Sequence, residues 1–128
     1  MEVMSILAGG ALGGMARFWI AERVSRGLLH SASPPVGILL VNASGALLAG
    51  LAAAMLAPGA GSPAWDLAVV GFLGSYTTVS SFSLQTLAML HDGKPGRATA
   101  NIAASLALTL GGVSLGWLIG RWAAGWPA

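Results

Sequence analysis

The run Gly71-Phe72-Leu73-Gly74-Ser75-Tyr76-Thr77-Thr78-Val79-Ser80-Ser81-Phe82-Ser83-Leu84-Gln85 interrupts a sequence made mostly of Ala, Leu, Gly and Val. Residues 75–83 carry six Ser or Thr hydroxyls and a tyrosine, inside a segment otherwise apolar enough to lie in lipid. Gly74-Ser75 followed by Thr77-Thr78 is poor helix material. Backbone unwound at membrane depth survives only where protein buries it or where it lines a cavity. Freed carbonyls at such a break can bind a cation, whereas hydroxyls and the positively polarised edge of a phenyl ring can face an anion. The run predicts a membrane helix broken near its centre.

The rest of the chain agrees with a lipid setting. Its 128 residues are 55% hydrophobic and only 8% charged, with a mean hydropathy of +0.78. A soluble domain of this size would need roughly a quarter of its residues charged. Four apolar stretches reach the roughly 20 residues a helix needs to cross the hydrocarbon core. They run over residues 3–21, 36–56, 67–90 and 102–122, joined by connections containing Ser, Pro and Gly. Trp19, Trp65, Trp122 and Trp126 stand at span ends, where interfacial aromatics belong. Pro34 and Pro35 precede the second span, where a missing N–H costs little. The expected fold is a single all-α domain over 1–128, an integral membrane protein of four transmembrane helices with the third broken. The first span does not read as a signal peptide, because it lacks a basic leading region and ends in Arg17 and bulky aromatics.

Charge sets the orientation. The connections after the first and third spans hold Arg23, Arg26, Lys94 and Arg97, whereas the opposite side holds only Arg121. The positive-inside rule then places loops 22–35 and 91–98 in the cytoplasm and both termini outside a cell membrane crossed several times. Six cations scattered over the chain make no basic patch, so nucleic acid is not an expected partner. Membrane lipid is.

Within the spans the chemistry is neutral. Glu2, Glu22, Asp66 and Asp92 fall at ends or in loops, and no span centre holds Asp, Glu, Lys or His. A proton-coupled carrier normally needs a buried ionisable group. Its absence points to passive conduction or a structural role, and no catalytic pair indicates an enzyme. His30 and His91 have no neighbouring ligand types, and the chain has no cysteine. The second span presents Asn42, Gly45, Ala46 and Ala49 on one face, the third Thr78, Phe82, Gln85 and Met89, and the fourth Asn101, Ser105, Thr109 and Gly112. Small and polar faces are first of all where membrane helices pack, and second a conduction path. The Gly9/Gly13, Gly10/Gly14 and Gly112/Gly116/Gly120 spacings read the same way. Arg17, the one charge well inside a span, either snorkels to the cytoplasmic interface or raises anion concentration at a pore mouth.

Three motifs resemble the signatures of the fluoride channel family, Fluc or CrcB: residues 9–18 (Gly9-Gly10-Ala11-Leu12-Gly13-Gly14-Met15-Ala16-Arg17-Phe18), residues 37–42 (Gly37-Ile38-Leu39-Leu40-Val41-Asn42) and the opening run through Ser83. Length, span number and motif order agree over nearly the whole chain. The resemblance implies an antiparallel, dual-topology-type dimer with two pores that exports fluoride passively and confers fluoride resistance. It implies a structural sodium ion at the dimer interface, held by carbonyls matching Gly74 and Thr77. Arg17 matches the vestibule arginine, Asn42 the pore asparagine and Phe82 the second pore phenylalanine. Thr78, Ser105 and Thr109 match polar pore positions. The physics is coherent, since a small, strongly hydrated anion must trade water for closely placed donors.

Three positions depart from that pattern. Val79 stands where the first pore phenylalanine is expected, Ile38 replaces a threonine, and Gln85 replaces a glutamate. The family's pores are thought to take one phenylalanine from each subunit, so a homodimer of this chain would lack one in both. A chain that inserts both ways should also show almost no Lys/Arg bias, yet four cations stand against one here. Both features favour an inverted paralogue over a second copy as partner. The alternatives are a non-conducting partner subunit of such a channel and a small multidrug resistance-type carrier. The latter would need a membrane-buried glutamate on the first helix, where none is present.

Overall fold

The computed structural model describes residues 2–27, 36–56 and 61–125, and these are helical almost throughout. Helix α1 spans Glu2–Gly27 and α2 spans Val36–Leu56. Helix α3 covers 63–76, α4 is Val79–His91, and α5 is Pro95–Ala123. Helices α3 and α4 are the halves of one crossing, Pro63–His91, and together with α1, α2 and α5 give four crossings long and apolar enough for a membrane. The second crossing has the bounds hydropathy marks. The other three run longer: α1 continues to Gly27, the third opens at Pro63, and α5 opens at Pro95. Hydropathy finds the lipid-soluble part of a helix, whereas caps and first-turn prolines set its ends. Ser62 caps α3, its Oγ accepting from the Trp65 N–H at 3.3 Å, and Pro63 follows at the first helical position. The third connection therefore shrinks to 92–94, and Arg97 lies in the first turn of α5. His30, Pro34, Pro35 and Trp126 lie outside the described residues.

The break falls where it was expected, with one difference. Gly74, Ser75 and Tyr76 remain helical, and the extended residues are Thr77 (φ −80°, ψ 155°) and Thr78 (φ −152°, ψ 124°). Thr77 is the midpoint of the 29-residue crossing. Glycine in a membrane helix need not end it, because neighbouring groups satisfy the backbone. The approach to the break has its own irregularity. Residues Asp66–Leu73 wind as a wide π-helix, and the Gly74 N–H reaches back to the Val69 carbonyl.

Glycine decides how the helices meet. Gly9 and Gly13 of α1 lie so close to α3 that a Cβ on either would strike backbone at Leu67 or Phe72, and Gly71 lies as close to Ile6. Gly50 of α2 lies against Val113 and Trp117, while Gly112 and Gly116 of α5 lie against Ala43 and Leu47. Contacts advance in the same sense along both members of each pair, so α1 runs parallel to α3 and α2 parallel to α5. Most of these small faces thus serve close approach within one chain. Gly14 faces open space instead, so the second glycine pair of α1 is not a packing face in the same sense. The interior is thin. Val41, Leu73, Tyr76 and Ala98 are buried, whereas large residues such as Phe18, Leu84 and Leu110 stand exposed on the surface of the single chain. Trp19 stacks under Arg23 at 5.0 Å and Trp117 under Arg121 at 4.6 Å, pairing aromatic and cation at two helix ends.

Candidate ion-conduction site

A helix that ends in mid-membrane leaves its last carbonyls and the next helix's first N–H groups without intrahelical partners. The chain answers part of this need with side chains. Asn42 of α2 grips the Thr78 peptide at both ends: its Nδ2 donates to the Thr78 carbonyl at 2.8 Å, and its Oδ1 accepts from the Thr78 N–H at 2.8 Å. The Thr78 hydroxyl caps α4, accepting from the Ser81 N–H at 3.3 Å and lying 3.1 Å from the Ser80 hydroxyl. Thr77 closes the end of α3 twice over. Its N–H and its hydroxyl both donate to the Leu73 carbonyl, at 3.1 and 3.0 Å. By helix geometry, the carbonyls left over are those of 74–77. Arg17 serves one of them, its Nη1 standing 3.5 Å from the Thr77 oxygen. Its guanidinium therefore turns toward the break instead of snorkelling to the interface.

Tyr76 is buried beside this knot. Its ring stacks on Phe72, with centroids 5.6 Å apart, and its hydroxyl lies 2.9 Å from the Ser44 Oγ. A buried tyrosine needs a partner for its O–H. The tyrosine stood out in the sequence as part of the polar run, but its partner Ser44 did not, and only that general need could have flagged it.

Beside the break lies a groove of about 690 Å³. Its walls bring together Asn42, Gly74, Thr77, Thr78, Val79 and Thr109 of the sequence-stated positions. The α2 face Asn42, Gly45, Ala46 and Ala49 lines it entirely. Apolar surface dominates, with the polar groups gathered around the break. Val79 is 76% exposed at its edge, a small aliphatic side chain with no ring to present. Asn42 keeps a second Nδ2 proton, since a primary amide has two and one is given to Thr78. Thr109 donates to its own helix, to the Ser105 carbonyl at 2.6 Å and the Leu106 carbonyl at 3.3 Å, so its hydroxyl must rotate before it can serve an anion.

Other positions lie apart. Ser105 sits one turn before Thr109, and Phe82 and Gln85 lie on α4 beyond the groove lining. Ile38 lies one turn before Asn42 on α2, half-buried. The Gln85 Oε1 is buried without a hydrogen-bond partner. The upper α5 face divides: Asn101 is buried against Thr86, and Gly112 packs on α2. Among the described residues, no group of three His, Cys, Asp or Glu gathers as a metal site.

Four crossings, one of them severed at mid-depth beside a largely apolar groove with polar groups at the break, define an α-helical integral membrane protein. Sequence comparison gives the family. Residues 4–117 match the family described as CrcB-like protein, Camphor Resistance (CrcB). The fluoride-specific ion channel FluC 2 of Bradyrhizobium diazoefficiens is 46% identical over 121 residues, covering 91% of this chain and 87% of that protein. FluC 2 of Rhodopseudomonas palustris is 45% identical, covering 93% and 92%. FluC of Acidobacterium capsulatum is 38% identical, covering 94% and 97%. The chain belongs to the CrcB-like family.

Proposed function

We propose that this chain is a subunit of a fluoride-selective passive channel that lets fluoride leave the cytoplasm. The observation that carries the reading is the broken third crossing, whose polar groups and Asn42 brace line a mid-membrane groove in a chain related to fluoride-specific ion channels. An inside-negative potential drives an anion outward by about 2.3 kcal/mol per 100 mV, so no coupled ion is needed. Arg17 supplies the positive field beside the break, and the hydroxyls and amide supply donors. Orientation follows the cation count, with both termini outside.

A sodium ion at Gly74 and Thr77 fits the donor type, because the Thr77 oxygen has a second lone pair besides the one that Arg17 approaches. Both residues line the groove and lie at the carbonyl end of a half-helix, which carries partial negative charge. Backbone oxygens are the ligand type hard cations take. Two carbonyls from one chain are too few, so the ion requires a second subunit and would tie the two together.

The second subunit is an inverted paralogue in this reading. The one-sided cation count favours a fixed orientation, and Val79 leaves one pore without its aromatic edge. That two of the related channels carry the number 2 in their names fits organisms with more than one copy. Liposomes containing this chain alone should then show little fluoride efflux over a chloride control, with robust efflux once the partner is added. Val79→Phe in the complex should raise efflux toward twice the original by opening a second pore. Robust efflux from the chain alone would sink the paired arrangement. Unchanged flux in the Val79→Phe complex would favour a chain whose own pore never conducts.

A further inference from the structure

Two side-chain amides hold the second half of the broken crossing, and only one sits at the break. Asn42 grips Thr78 at the start of α4. Two turns later Asn101 of α5, 5% exposed, donates through Nδ2 to the Thr86 hydroxyl at 3.0 Å. Thr86, 8% exposed, donates in turn to the Phe82 carbonyl at 2.8 Å. A hydroxyl has one proton, so the chain of bonds has a fixed direction: amide to hydroxyl to carbonyl. Phe82 and Thr86 lie one turn apart on the same face of α4, and Thr78 is the extended residue that leads into its first turn.

This arrangement constrains rotation. The outer side of α4, with Val79, Leu84 and Leu87, is exposed and gives no hold within the chain. A half-helix freed at a break could turn about its own axis, swinging Phe82 with it. Turning it with Asn42 and Asn101 in place would break one bracket or the other.

We propose that Asn101 and Thr86 are positioning residues for anion permeation, fixing the rotation of α4 and hence the aim of the Phe82 ring. This rests on reading Phe82 as part of the fluoride path. Without the Thr86 hydroxyl, the Asn101 amide has lost its acceptor in a site where an unpaired polar group is costly. The Phe82 ring then loses its orientation while the ring itself remains.

The test uses the complex purified from its own cells and placed in liposomes, reading fluoride and chloride efflux together with thermal unfolding. Thr86→Val should lower fluoride efflux about tenfold or more, Thr86→Ser should return it to within about twofold, and Thr86→Val should add nothing in a Phe82→Leu background. If Thr86→Val keeps full efflux, or lowers it by the same factor with and without Phe82, the pair is only helix packing and the proposal is overturned. If Phe82→Leu alone leaves efflux unchanged, Phe82 is not in the path, and the proposal falls with that reading. Should Thr86→Val fail to accumulate, Asn101→Ala answers the same question while leaving the Thr86–Phe82 bond in place. A fall in efflux that vanishes in the Phe82→Leu background supports the proposal, and unchanged efflux overturns it.

Discussion

Replacing Asn42 with leucine should abolish fluoride efflux and markedly destabilise the protein, although the two side chains share the same branched heavy-atom skeleton. The amide satisfies the Thr78 N–H and carbonyl together. Leucine leaves both groups unpaired at the bilayer centre, at about 1–3 kcal/mol each, so a loss of roughly 2–6 kcal/mol is expected. The conduction effect goes further, because the extended peptide at 77–78 would lose its brace and the carbonyls around it their positions. Misplacement by about an ångström can cost on the order of a hundredfold in a tightly arranged site. Thermal unfolding in detergent and liposome efflux measure the two effects separately. Efflux at the wild-type rate from Asn42→Leu would mean that the break needs no brace.

Neighbouring glycines should respond in opposite ways. A Cβ on Gly13 would strike the Phe72 carbonyl, which is backbone and cannot rotate away, whereas one on Gly14 meets nothing within 4 Å. Gly13→Ala should destabilise by about 1–3 kcal/mol as overpacking pushes α1 from α3. Gly14→Ala should be neutral or stabilising by up to about 1 kcal/mol, since alanine is the better helix former. Gly13→Val should exceed both and yield little folded protein. Equal tolerance at Gly13 and Gly14, read as folded yield and unfolding temperature, would contradict the close parallel approach of α1 and α3.

How far such features could be read beforehand depends on the range of the force involved. Burial in lipid acts over whole segments, so composition alone located four crossings. Thr and Ser at mid-span gave away the break, because a hydroxyl there needs a reason. The exact step did not follow: Gly74 remained helical, and the chain opens at Thr77 and Thr78. Helix propensity is a weak local preference, and here the long-range Asn42 bracket selects which peptide lies extended. Asn42 itself stood out as an amide in an apolar span, but nothing local says which backbone an amide will meet 36 residues away. Thr86 was harder still. A threonine bonding its own preceding turn looks ordinary in any membrane helix, and only its contact with Asn101 makes it distinctive. Glycine pairs gave the reverse difficulty. Gly9, Gly13 and Gly14 are indistinguishable as letters, and geometry separates the two in contact from the one in the open.

The wide winding of Asp66–Leu73 bears on all of this as a matter of phase. In an ordinary helix each residue advances the side chains by about 100°, and a stretch bonded five residues back accommodates one residue more before the turn closes. That surplus works like a dial set once along the shaft. The same residues wound as a regular helix would bring the chain to Thr77 on a different bearing. The Thr77 oxygen would then face away from Arg17, and the Thr78 peptide would meet Asn42 at the wrong angle. The compass heading of the break is therefore established a full turn or more upstream, in a stretch that is apolar apart from Asp66.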